Sequence, residues 1–487
     1  MTFQLYSSIL LILFSYIPVK SLASENNFEN VETVSECRRL FNGPPNSVVL
    51  GHPRPTLYSE CSFDLHTDLK MRPESTFEVF QMYGPCSPST RTTPTNMPST
   101  QDILHRERQR VEYLQARFKT NSTTKKYDSR FQDTKETADL PVSFSTSNYA
   151  ISISLGRPQQ VQTLIFDTAS DITWTNRFHP YASNSLYIIS CASPLCSMFL
   201  PRHTCEKFSN IENACYYRIE YASGLYSKGV FSMDILNITQ TGEIFPQFLF
   251  GCHTDANFDP TQLYGADGVL GLGRTPISFV SQTEPIYKGN FSYCFPSSTS
   301  STGFLKLGPR DYPNNMKFTK LIFNPNSPLF YFINITSIRV GHVELSIQGS
   351  DWMFPGTIID TGTVVTRLPM NVYRTMRNEF QKQMQNSGYN QMLPFPGSIM
   401  DTCYNNNIDL INSVPIITFT FEGGVAVDMD ASATLYALGA SNMVCLAFSG
   451  NSDSSQLNIF GNTQQKKLEV VYDVVGGKLG FIPGGCL

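Results

Sequence analysis

The sequence is poor in charge and in the residues that build metal or nucleotide chemistry. Only 16% of its 487 residues are Asp, Glu, Lys or Arg, and the net charge is −4. There is no basic footprint for nucleic acid. The seven histidines (52, 66, 105, 179, 203, 253 and 342) are scattered and form no HExxH or other ligand cluster. No metal and no other cofactor is therefore expected. GVLGLG at 268–273 lacks the final Gly or Gly-Lys-Ser/Thr that aims backbone amides at phosphate, so it reads as a packed turn. A GxSxG elbow for a nucleophilic serine is missing too. Long apolar runs are equally scarce. Ile9–Ile17 is too short to span a bilayer, and no later stretch is long enough.

What the sequence does contain begins with that short run. Ser21-Leu22-Ala23 offers small residues at cleavage spacing, so residues 1–23 read as an export signal, although Met1–Ser8 carries no Lys or Arg. An uncleaved anchor is the alternative; the export reading leaves none in the mature form. The 12 cysteines and four glycosylation sequons, at Asn121, Asn237, Asn290 and Asn334, fit the secretory pathway.

Residues 24–140 are polar, and the chain up to Leu140 carries 16 acidic and 16 basic residues, so the net negative charge lies beyond it. Leu104, Val111, Leu114 and Phe118 fall at helical spacing, which predicts an amphipathic helix near 101–118. The cluster Arg106-Glu107-Arg108-Gln109-Arg110 reads as its solvated face, and Lys119–Glu136 as an exposed linker. After a signal peptide, such a segment is expected to be a pro-segment removed near residues 135–141. An accessory domain that stays attached is the alternative. From Pro141 the texture changes to strands and turns. Tyr149, Ile151, Ile153 and Leu155 alternate with small residues, predicting a half-buried strand; Gly156-Arg157-Pro158 makes a turn into a second strand over Val161–Phe166. Alternation recurs over Phe330–Val340, and the clearest helix spans Met370–Gln385, with Val372, Met376, Phe380 and Met384 on one face. The fold class is mainly β.

An internal repeat runs through this β region. Ile165-Phe166-Asp167-Thr168-Ala169-Ser170 matches Ile358-Ile359-Asp360-Thr361-Gly362-Thr363. Each copy is followed by two apolar residues and a glycine, Val269-Leu270-Gly271 and Ile459-Phe460-Gly461, at intervals of 104 and 101 residues from the aspartate. Two ordered matches at matched intervals imply two homologous lobes, each contributing one Asp. If the two carboxyls meet in a shielded cleft, both cannot ionise cheaply, and one proton is shared. The ionised member can take a proton from water while the protonated one donates to a carbonyl. That is general acid–base hydrolysis of an amide, favoured in acid.

The series FDTASDITW, YGADGVLGLGR, GTIIDTGTVVTRLP, IFGNTQQKKLEVVYD and GFIPGGC resembles the pepsin-like aspartic proteases, closest to the plant nepenthesin-like branch that includes a chloroplast nucleoid member. It covers about Asn148 to Cys486, and FEVFQMYGPCSP (Phe77–Pro88) resembles the leader of that branch. The resemblance implies a bilobal β fold with a cleft between lobes over 141–312 and 313–487. It implies endopeptidase activity, zymogen synthesis, an extended peptide or protein substrate, the chain's own pro-segment as a partner, and a monomer in the apoplast or vacuole. Asp167 and Asp360 would be the catalytic pair. Thr168 and Thr361 would lock the loops together; Ser170 and Thr363, with Gly362, would support the carboxylates. Tyr221 matches the flap tyrosine and Trp174 the tryptophan behind it. Cys403 and Cys445 match a family disulfide, whereas partners for Cys252, Cys294 and Cys486 stay open, and the count from Cys191 onward is odd.

Two departures stand out. The first loop reads Asp-Thr-Ala where active relatives have Asp-Thr-Gly, and Ala222 replaces a glycine after the flap tyrosine. An Ala169 forced to φ > 0 would cost roughly 1–2 kcal/mol, and its methyl adds bulk beside the catalytic water. The alternative to an enzyme is a weakened or inactive pseudoprotease acting as a secreted binding or inhibitor protein. A DNA-associated role would need a basic surface and a transit-type start, neither of which is seen.

Overall fold

The computed structural model describes residues 62–63, 75–82, 84, 86–87, 99–122 and 149–485, except 201–202, 210, 222–225, 239–241, 256–262, 264, 297–300, 313–315, 349–354, 395–397 and 439–441. The export signal, the 123–148 stretch with its expected processing site, the flap tip at Ala222, and Cys37, Cys61 and Cys486 lie outside these residues.

Apolar alternation produces a mainly β molecule. A large sheet carries, in order, Phe318–Lys320, Lys478–Pro483, Leu468–Asp473, Asn290–Cys294, Ser301–Leu307, Ser75–Gln81, Tyr149–Leu155 and Gln160–Asp167. Leu468–Asp473 of the second lobe pairs antiparallel with Asn290–Cys294 of the first, so one sheet joins the two. Within it, Ser75–Gln81 lies between Ser301–Leu307 and Tyr149–Leu155, with Phe77, Val79 and Phe80 buried. Part of the predicted pro-segment is thus a strand of the body. Tyr149–Leu155 is buried along almost its whole length rather than half-buried, because strands pair on both of its edges and a core packs on each face.

The sequence repeat becomes a structural one. Gln160–Asp167 runs parallel to Gly268–Gly271, with Gly271 opposite Asp167; Thr357–Ile359 runs parallel to Asn458–Phe460, with Ile359 opposite Phe460. GVLG is therefore a strand, not a turn. Its glycines admit the crossing chain: a Cβ on Gly268 would lie 1.9 Å from the Trp174 carbonyl oxygen, and one on Gly271 2.1 Å from that of Asp171. The predicted helix at 370 spans Met370–Asn386 and buries Val372, Met376, Phe380 and Met384. The stretch 330–340 forms Phe332–Ile333 and Ile335–Val340.

The leader helix spans Thr100–Ser122. Ser99 and Asp102 cap it reciprocally: Ser99 Oγ accepts from the Asp102 amide at 3.2 Å, and Asp102 Oδ2 accepts from the Ser99 amide at 3.0 Å. Its apolar face, Leu104, Val111, Leu114 and Phe118, is buried as the spacing predicts. The charged cluster is not a solvated face. Arg106, Glu107 and Arg110 are all buried, because this helix packs against the aspartate loops of both lobes.

Disulfides join Cys191 to Cys205, Cys196 to Cys215, and Cys403 to Cys445. Cys86 and Cys294 are disulfide-bonded as well, and Cys252 is a buried thiol. Asn290 and Asn334 are partly exposed, whereas Asn237 is buried in the strand Tyr226–Ile238, so a glycan on Asn237 conflicts with the packing. Asn121 falls in the last turn of the leader helix. Among the described residues no helix is long and apolar enough to cross a membrane.

Candidate active site

Asp167 ends the strand Gln160–Asp167 and Asp360 directly follows the strand Thr357–Ile359, so each starts a loop that meets its counterpart from the other lobe. The loops are tied by matched bonds. The Thr168 amide donates to Thr361 Oγ1 at 3.0 Å, and the Thr361 amide donates to Thr168 Oγ1 at 3.1 Å. Asn462 Nδ2 adds a bond to the Thr361 carbonyl at 2.8 Å. All of these groups are buried, so the bonds between the loops are shielded from water.

The carboxylates are held in the same way in both lobes. Asp167 Oδ1 accepts from the Ala169 amide at 2.9 Å, and its Oδ2 from Ser170 Oγ at 2.7 Å. Asp360 Oδ1 accepts from the Gly362 amide at 3.0 Å, and its Oδ2 from Thr363 Oγ1 at 2.5 Å. The residues with φ > 0 do not include Ala169, so the strain that a forced left-handed conformation would bring is not there. Its methyl instead belongs to the buried apolar cluster that also holds Val111, Leu114 and Phe118 of the leader helix. The second loop could not take the same change in this state: a Cβ on Gly362 would lie 2.1 Å from Arg110 Nη2.

Arg110 is the functional residue that sequence reasoning placed in solvent. Its Nη2 donates to Asp167 Oδ1 and to Asp360 Oδ1, each at 2.8 Å, while Nη1 reaches Asp167 Oδ2 at 3.2 Å and Nε reaches Asp360 Oδ2 at 3.1 Å. One planar guanidinium thus spans both carboxylates. Burial pushes the Asp167 carboxyl up, but the charge and hydrogen bonds of Arg110 outweigh it and hold the group below the usual carboxylate range. Burial likewise opposes the charge on Arg110, yet the two aspartates keep it firmly protonated. The available signal was positional: an arginine on the same face as Val111, Leu114 and Phe118 cannot remain in water if those residues dock.

The rest of the helix follows the groove. Glu107 accepts from the Val364 and Val365 amides at 2.9 and 3.0 Å. Gln115 pairs with the backbone of Leu457, donating to its carbonyl at 2.8 Å and accepting from its amide at 2.5 Å. Tyr113 lies against Tyr221, ring centroids 6.3 Å apart. Trp174 Nε1 donates to Tyr221 Oη at 2.5 Å, so the predicted flap tyrosine and its tryptophan are in contact, and burial pushes the Tyr221 phenol far up. Cys191, His203 and Cys205 bring three metal-type ligand atoms within 4.8 Å, but the two sulfurs are joined in a disulfide and offer no thiolate.

Comparison with known proteins agrees with this geometry. Residues 149–309 match the family described as Xylanase inhibitor N-terminal, and residues 330–483 match Xylanase inhibitor C-terminal. An aspartyl protease family protein of Arabidopsis thaliana is 34% identical over 85% of this chain and 88% of its own length. Aspartic proteinase nepenthesin-2 of Nepenthes gracilis is 30% identical over 72% and 80%. Among solved structures, that titled edgp superposes with a TM-score of 0.60 at 21% identity, covering 70% of this chain and 92% of that one. Basic 7S globulin from soybean gives 0.55 at 22%, covering 69% and 93%. At these identities the solved structures speak to the bilobal fold alone.

Proposed function

We propose, from the premise that this chain belongs to the plant aspartyl proteases whose lobes match the xylanase-inhibitor N- and C-terminal modules, that it is an acid endopeptidase made as a zymogen. The observation that carries the reading is the shared guanidinium: two carboxylates from different lobes lie within hydrogen-bond reach of one nitrogen.

With Arg110 withdrawn, the two carboxyls face each other with no cation between them, and one proton is shared. The ionised carboxylate takes a proton from a water as that water attacks the peptide carbonyl. The protonated carboxyl hydrogen-bonds the carbonyl oxygen and then passes its proton towards the leaving nitrogen. The Ala169 and Gly362 amides and the Ser170 and Thr363 hydroxyls keep the reacting oxygens in place. Tyr221 closes over an extended peptide. The chemistry asks for no cofactor.

Latency follows from the docked helix. Arg110 needs both carboxylates ionised, whereas the free dyad holds a proton, so acid favours release. The export signal and cysteines support a place in the secretory pathway, ending in the apoplast or vacuole, where the enzyme acts as a monomer.

A second reading, a secreted binding protein without catalysis, draws on Ala169 and on the inhibitor description of the matching family. The two readings separate in one assay: acid-treated full chain on casein, with and without pepstatin, beside Asp167→Asn and Ala169→Gly. Pepstatin-sensitive cleavage below about pH 5, lost in Asp167→Asn, supports the enzyme. Absence of cleavage by the parent and by Ala169→Gly, with binding to a partner retained, supports the binder.

A further inference from the structure

Past the dyad, the groove contains a second acidic position. Asp171 lies four residues after Asp167 on the same loop, and its Oδ1 is held by the Thr275 amide at 3.2 Å. It lines a cavity of about 380 Å³ together with Thr275, Pro325, Asn326, Pro328, Leu329 and, from the leader helix, Arg117. Arg117 Nη1 donates to Tyr113 Oη at 3.1 Å, and Arg117 and Asp171 attract each other across this space. Burial raises the Asp171 carboxyl, and the basic group acting against that burial is Arg117. The nearby Arg274 points elsewhere, donating to the Ile322 carbonyl at 3.0 Å and lying over the Phe323 and Tyr331 rings.

We infer that Asp171 is a specificity-determining residue, and that the cavity beside it takes the Lys or Arg side chain of a peptide substrate where Arg117 sits in the latent form. This rests on the endopeptidase reading above and names a substrate class for the same cleft. The reasoning is electrostatic. When the helix leaves, Asp171 loses its cationic neighbour while burial still favours its neutral form, so the carboxylate that pairs with an incoming ammonium or guanidinium is most populated at the upper end of the acid working range, where the basic preference is strongest. The walls of Pro325, Pro328 and Leu329 suit the methylene stem of such a side chain. Arg117 follows Arg110 by two helical turns, about 10 Å. An extended peptide covers that distance in about three residues, so the preferred base stands about three residues from the bond cleaved.

The test compares peptides that carry Lys or norleucine at each position within four residues of the cleaved bond, using acid-treated full chain and Asp171→Asn. The asparagine oxygen can still accept from Thr275. For the parent, the Lys-to-norleucine ratio of kcat/KM is expected to reach about ten at one position, and to fall to about one in Asp171→Asn. Cleavage by the parent with no basic preference at any position overturns the inference while leaving the endopeptidase reading standing, and needs no variant to fold. If the parent cleaves nothing, that reading fails first. Calorimetry of the same peptides then decides: tighter binding of the Lys peptide to the parent alone supports the pocket, and equal affinity overturns it.

Discussion

Ala169 shows how a one-residue departure can be judged only in place. Glycine was expected there for its conformational freedom, but Ala169 is not among the residues with φ > 0, and its amide still holds Asp167. Replacing it with glycine should therefore change kcat by less than about threefold, since no strain is relieved. It should also loosen the docked helix by about 0.5–1.5 kcal/mol through the lost methyl contact; urea titration of helix release at pH 7 measures this. Arg110 carries more. Removing one partner of a buried charge cluster costs about 3–5 kcal/mol, so Arg110→Ala should free the leader helix at neutral pH. The measurement is the rate of tryptic cleavage within residues 100–122, and an unchanged rate would contradict the proposed clamp.

At the scale of the element, the leader helix carries opposing pH responses. The docked Asp167 pKa is depressed, so its contribution to docking is complete above the pKa of the released group and is lost as pH falls through the docked value. Glu107 behaves in the opposite sense. Burial raises its pKa even though Arg367 and the Val364 and Val365 amides favour its charge, so acid relieves the cost of burying it and favours docking. The dyad must therefore outweigh Glu107 for acid to release the helix. Glu107→Gln removes the opposing response while keeping an acceptor for the loop amides. Helix release, followed by limited proteolysis between about pH 3 and 7, should become steeper in this variant. The helix itself was legible from Leu104, Val111, Leu114 and Phe118. Its docking was not, because helical periodicity identifies an apolar face without saying what covers it.

For the whole molecule, the strand Ser75–Gln81 has the larger consequence. It fills the gap between Ser301–Leu307 and Tyr149–Leu155 and buries Phe77 and Val79, each at 1% exposure or less. A chain beginning at Pro141 would expose two strand edges and the core beneath them. Such a chain should aggregate or melt well below the full protein in calorimetry. Adding a peptide spanning residues 62–122 should recover the melting temperature. A Pro141 chain as stable as the full protein would mean that the strand position can be filled by other means.

The sequence by itself determined the mainly β character, the two related halves, the aspartate pair, the supporting hydroxyls and the two long helices. Each of these is written locally, as a period of two or nearly four residues, or as a short pattern repeated at a matched interval. Only the tertiary structure decided that Arg110 meets Asp167 and Asp360 across 57 and 250 residues, that the leader supplies a strand to the central sheet, and that Cys191 joins Cys205. A charge reveals its partner only when packing has excluded water from both, and no local pattern records which distant surface will do that.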